Sequence, residues 1–143
     1  MSQATISGPL RLGTIQDTAT ANLGYPILTQ TATFTQNSTT AVDVTFYLPA
    51  NSQIVGFNND VLVAYDSATS ATLSAGTSSG ATTYMSGVNV KAAAGRIAPT
   101  YTAAQLTAVA NITTNPTVVG TITVVGATTA GNGRITISYI QKP

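Results

Sequence analysis

The sequence predicts an all-β chain: an antiparallel β-sandwich of jelly-roll-like build, with an extended N-terminal arm and one short helix. Three observations carry that expectation. The chain holds 27 Thr but no Glu and only 5 Lys and Arg. Threonine's branched Cβ suits a pleated strand, and the charged helix formers are nearly missing. Stretches with an apolar residue at every second position recur along it, and clusters of Asn, Ser, Pro and Gly separate them at short intervals.

The elements follow in order. Residues 1–24 show no clean alternation and are interrupted by Gly8-Pro9, Gly13 and Gly24. They read as an arm, and residues 25–143 as a single sandwich domain. Residues 27–36 read as a strand with Leu28, Ala32 and Phe34 toward the core and Thr29, Thr31, Thr33 and Thr35 outside. In 41–48, Val42, Val44, Phe46 and Leu48 alternate with Ala41, Asp43, Thr45 and Tyr47. Residues 53–57 and 60–66 read as two strands separated by a break at Asn58-Asn59, and 71–75 as another. The stretch 78–99 is punctuated by Gly80, Gly87 and Gly95 and shows no period. Thr102 is a suitable N-cap for a helix through Ala110. In 117–125, Val118, Ile122 and Val124 face in while Thr117, Thr121 and Thr123 face out. In 134–140, Ile135, Ile137 and Tyr139 share a face. Asn132-Gly133 suits positive φ and is expected to close a hairpin between these last two strands.

Composition excludes several chemistries. There is no His, Cys or Trp, and charged residues make up 6% of the chain with a net charge of +1, against about 25% charged in an average domain. A usual zinc site, a Cys nucleophile and a Ser-His-Asp triad are therefore ruled out. Five scattered cations cannot line a phosphate track, which points away from nucleic acid. No segment reaches the roughly 20 apolar residues of a membrane span, and Met1 to Thr20 has no basic region followed by an apolar run. The expectation is a non-enzyme without cofactor or metal, made in the cytoplasm.

The four Asp residues are the available acids. Asp60 and Asp66 lie six apart on one strand face, roughly 20 Å at the strand rise, too far for an acid/base pair. Asn58-Asn59-Asp60 offers oxygens for calcium, but a calcium site takes 6–8 of them, and a simple turn is the plainer reading. Gly76-Thr77-Ser78-Ser79-Gly80 lacks the Lys of a phosphate loop. Asn37-Ser38-Thr39 and Asn111-Ile112-Thr113 match the glycosylation pattern, as chance allows in a chain so rich in Asn and Thr. The six tyrosines are expected mostly to cap the core edge with a polar hydroxyl.

What the composition favours is assembly. A surface of hydroxyls and amides buries few ions at an interface, and sheet edges without Lys or Pro invite pairing with another chain. The arm carries Ile6, Leu10, Leu12 and Ile15, with Arg11 and Asp17 as its charges. These six are the candidate contacts to a neighbouring subunit or another protein surface, through strand addition to an open edge.

Several segments resemble small β-sandwich structural proteins of tailed bacteriophages that decorate or cement the head. The matching pieces are Leu48-Pro49-Ala50-Asn51-Ser52-Gln53-Ile54-Val55, Asp60-Val61-Leu62-Val63, Thr72-Leu73-Ser74-Ala75-Gly76-Thr77, Val88-Asn89-Val90 through Ala94-Gly95-Arg96, and Ile135-Thr136-Ile137-Ser138-Tyr139-Ile140. Together they span roughly residues 40–143. The resemblance implies a homotrimer on the outer capsid surface of the virion, at local three-fold positions, with the major capsid protein as partner and no catalytic residues. A host-facing adhesin or head-fibre module, binding glycan through loops 78–87 or 126–133, is the alternative.

Overall fold

Eight strands build two four-stranded antiparallel sheets in the computed structural model, which describes residues 12–13, 23–36, 41–112 and 117–141, with Leu12, Gly13, Leu23 and Gly24 described by backbone alone. In chain order the elements are β1 (Leu12–Gly13), β2 (Leu23–Gly24), β3 (Leu28–Thr35), β4 (Ala41–Tyr47), β5 (Ser52–Val63), β6 (Ser70–Gly76), β7 (Met85–Asn89), β8 (Gly95–Ile97), α1 (Ala103–Ala110), β9 (Thr117–Val125) and β10 (Asn132–Gln141). One sheet has the order β3-β10-β5-β8 and the other β4-β9-β6-β7, while β1 and β2 pair separately. The pairs β3/β10, β4/β9, β5/β8 and β6/β7 are all antiparallel. The chain is thus doubled back on itself about the β6–β7 connection and rolled into two layers, which is a jelly roll.

Period-two patterning places the core. Phe34, Phe46, Val118, Ile122, Val124, Ile135 and Ile137 are buried between the sheets, as alternation predicts. Space between the sheets is tight at Gly120, where a Cβ would lie 3.3 Å from the Phe34 ring and 3.3 Å from Val44. The missing side chain on β9 makes room for the aromatic from β3.

Three local readings are corrected. Asn58-Asn59 is not a break: β5 runs through it as one strand, and a bulge near each end re-aims its side chains. The extra residues, Val55 and Leu62, are turned out to solvent. Asn59 is 1% exposed, its amide donating to Ile97 O at 3.3 Å and Met85 Sδ at 3.5 Å. Asn132-Gly133 closes no hairpin. Both residues lie inside β10, opposite Thr35 and Phe34, and β9 belongs to the other sheet. The positive φ falls instead at Gly126 and Gly131. Leu28 is 38% exposed because it lies at the very start of β3. Thr121 does face outward, but it is buried there, since Gly80 N–H donates to its hydroxyl at 2.9 Å and the 77–81 loop covers it.

The stretch without a period, 78–99, supplies the two short strands β7 and β8. The helix forms where expected, with Thr102 and Gln105 in a reciprocal capping box. Gln105 is itself buried, and its amide donates to Thr82 O at 2.9 Å and Ser86 Oγ at 3.0 Å. This segment seals the part of β5 that β8 is too short to reach. Tyr101 Oη accepts the Phe57 N–H at 3.3 Å, and Ile112 exchanges backbone bonds with Asn51 and Ser52.

Candidate interaction surface

The outer face of the β3-β10-β5-β8 sheet is built in rows that the strand register defines. One row reads Thr33, Arg134, Asp60, Arg96 across the four strands. The next reads Thr31, Thr136, Asn58, and the one beyond it Thr29, Ser138, Gly56. The face therefore grades from a charged row to hydroxyl rows, with Thr31 Oγ1 and Thr136 Oγ1 2.8 Å apart. Asp60 accepts from Arg96 Nε at 2.8 Å and from Arg134 Nε at 3.0 Å. The hydrogen bond from Arg96, and then that from Arg134, hold its carboxyl below the ordinary value. A carboxylate shared by two exposed guanidiniums is a pinned anion rather than a free acid.

Asp66 is occupied differently. Its Oδ1 accepts Thr128 Oγ1–H at 2.7 Å, Thr129 N–H at 2.8 Å and Ala130 N–H at 2.9 Å, and its Oδ2 accepts Thr129 Oγ1–H at 2.6 Å. One carboxylate thus clasps the 126–131 turn to the segment that follows β5. Those donors, led by the Thr129 hydroxyl, hold its carboxyl well below the usual range. Its folded value is depressed, so the stabilisation is complete above the ordinary carboxylate value of about 3.9 and is lost as pH falls below it. Asp66→Asn is expected to flatten the decline of Tm between pH 5 and pH 2. The slope is reduced rather than abolished, because Asp60 titrates in the same sense. An unchanged profile would contradict the clasp.

The carboxylates do not converge. Asn58 and Asp60 point to the outer face while Asn59 points inward, as consecutive strand residues must, so the Asn-Asn-Asp stretch gathers no coordination shell. Among the described residues no three His, Cys, Asp or Glu lie together. A cavity of about 10 Å³ is lined by Phe34, Asn59, Val61, Tyr65, Leu73 and Ile122 among others. It admits one water-sized group, not a substrate. Tyr65 lies wholly inside, against the expectation of edge-capping tyrosines, and burial pushes its hydroxyl up to about 12. Tyr139 fits that expectation, its hydroxyl accepting from Gln30 Nε2 at 3.2 Å. Among the described residues no helix is long and apolar enough to cross a membrane.

On one flank the sandwich ends in β3 and β4, two edge strands without Lys, Pro or a register shift. Gln30 Nε2 bridges them by donating to Tyr47 O at 2.9 Å. Of the candidate contact residues in the arm, Ile6, Leu10, Arg11, Ile15 and Asp17 lie outside the described residues. The backbone of Leu12 pairs with that of Gly24 in a two-residue antiparallel ladder. Sequence reasoning missed the Asp66 clasp and the Asp60 row, whose partners lie far off in the chain. The signal available was that Asp is scarce, so each one has a reason to be kept.

No protein-family model matches the chain, and no curated protein matches it. Among solved structures it is similar to a chain of the one described as "Cyanophage Pam1 capsid asymmetric unit". The two share 23% identity with a TM-score of 0.55, over 89% of this chain and 98% of that one. What they have in common is the fold, over nearly the whole of both chains.

Proposed function

We propose that this chain is a structural protein of a phage virion, made in the bacterial cytoplasm, that decorates and cements the outer capsid surface as a homotrimer. The observation that carries this reading is the shared fold with a chain of nearly equal length from a cyanophage capsid. The composition supports it, since hydroxyl-covered faces and edge strands β3 and β4 without Lys or Pro suit permanent packing against other chains. Its partners are the major capsid protein and its own copies. In this reading it performs no catalysis and needs no cofactor, and Asp43, Asp60 and Asp66 are engaged in holding the fold.

The test uses purified full-length protein and phage heads lacking it. Native mass spectrometry is expected to give a trimer, and cosedimentation saturable attachment to heads that changes little between low and high salt. Deleting residues 2–20 removes β1 but no strand of the sandwich, so Tm is expected to hold while attachment or trimer stability falls. A monomer at micromolar concentration would sink the trimer. Binding to host cells or glycans with none to heads would favour an adhesin.

A further inference from the structure

Asn59 and Tyr65 are each 1% exposed, and Asn59 Oδ1 and Tyr65 Oη have no hydrogen bond among the described residues. Folded proteins satisfy the large majority of their buried side-chain polar atoms, so each of these two calls for a reason. Asn59 lies on β5 and Tyr65 on the segment that follows it. Both line the same small cavity between the sheets, whose apolar walls include Phe34 from β3 and Ile122 from β9. Gln36 and Ser67 also carry buried polar atoms without a partner, but neither residue lines this cavity.

What each atom needs is set by its surroundings. The amide nitrogen of Asn59 faces two acceptors, Ile97 O at 3.3 Å and Met85 Sδ at 3.5 Å. The two ends of the amide cannot trade places, because an oxygen turned toward those acceptors would meet no donor. Oδ1 is therefore an acceptor in need of a proton. The Tyr65 hydroxyl both donates and accepts, and burial pushes it up to about 12, so it keeps its proton at neutral pH. The close approach of the Gly131 backbone to the Tyr65 ring keeps that side chain from turning away. The cavity, at about 10 Å³, is of the size that takes a single water.

We propose that this cavity is a binding site for one internal water, which donates to Asn59 Oδ1 and accepts from the Tyr65 hydroxyl. Those two bonds are the fewest that hold a buried water, and they tie β5 to the segment that leaves it. Water is the ligand because it donates and accepts at once. An apolar ligand would leave both atoms unpaired, and calcium would find one carbonyl and one hydroxyl in place of its 6–8 oxygens. Asp60 and Arg134 also line the cavity, but their side chains are paired with each other on the outer face and bring no charge to it. The water also accounts for the residue at 59, since an amide turned into the core is costly unless its hydrogen bonds are made.

The experiment uses the full-length protein and Tyr65→Phe. A high-resolution crystal structure of the wild type is expected to show one water within hydrogen-bond distance of both atoms. Water magnetic relaxation dispersion is expected to count one long-lived water fewer in Tyr65→Phe. In urea unfolding that variant should lower the folding equilibrium constant by roughly fivefold or more, the worth of a satisfied hydrogen bond. A hydroxyl with no partner gives the opposite sign, because removing it relieves a desolvation cost. Unchanged or raised stability in Tyr65→Phe therefore overturns the proposal. So does a wild-type structure in which the cavity is dry, the water meets only one of the two atoms, or Tyr65 Oη donates directly to Asn59 Oδ1. The wild-type structure decides the matter even where the variant does not fold.

Discussion

Phe34→Ala is expected to lower the unfolding free energy by about 3–5 kcal/mol, a large part of the roughly 5–15 kcal/mol that holds a domain together. The ring is 1% exposed and reaches from β3 across the layer to the point where Gly120 carries no Cβ. Removing it opens a cavity that the backbone cannot collapse into, because β3 is held by β10 on its paired side. Urea unfolding with an unchanged m-value is the measurement. The ring and the glycine are complementary, so the two changes should couple. Gly120→Ala crowds the wild-type ring, and should cost less once Phe34 is alanine. A loss under about 1 kcal/mol for Phe34→Ala would mean that the ring is not the filler between the sheets.

Gly131→Ala is expected to cost about 3 kcal/mol or more, combining backbone strain with overpacking. Gly131 has φ of 151°, and a Cβ there would fall on the Tyr65 ring. Its carbonyl also accepts the Gln36 N–H at 2.9 Å, so the backbone is not free to move away. Gly80→Ala is the control. Its φ is 71° but a Cβ would meet nothing, so only the left-handed conformation is penalised, at about 1 kcal/mol. Equal losses at the two positions would show that conformation alone matters and that the Tyr65 contact does not.

The two changes act on different kinds of information in the chain. Phe34 was visible as a core residue from alternation alone. Gly131 could not be singled out, because its neighbour Tyr65 comes from a distant segment and approaches it only in the folded chain.

The same division runs through the whole molecule. Strands 41–47 and 117–125 and the 134–140 stretch of β10 were legible because one face of each is buried, and burial at every second residue writes itself directly into the sequence. The helix at 103–110 was legible because its cap is local, Thr102 bonding a residue three positions on. Composition alone set aside zinc, thiol and phosphate chemistry. Tertiary structure decided what depends on partners remote in sequence. Asn59 lies in a strand and not a turn because Ile97 O and Met85 Sδ receive its amide. Thr121 is buried because a loop from the other side of β6 folds over it. Asp60 and Asp66 draw their partners from 36 to 74 residues away. A hydrogen bond or a close contact across such a separation leaves no periodic trace. Only the rolling of the chain into two layers sets β3 beside β10 and β4 beside β9.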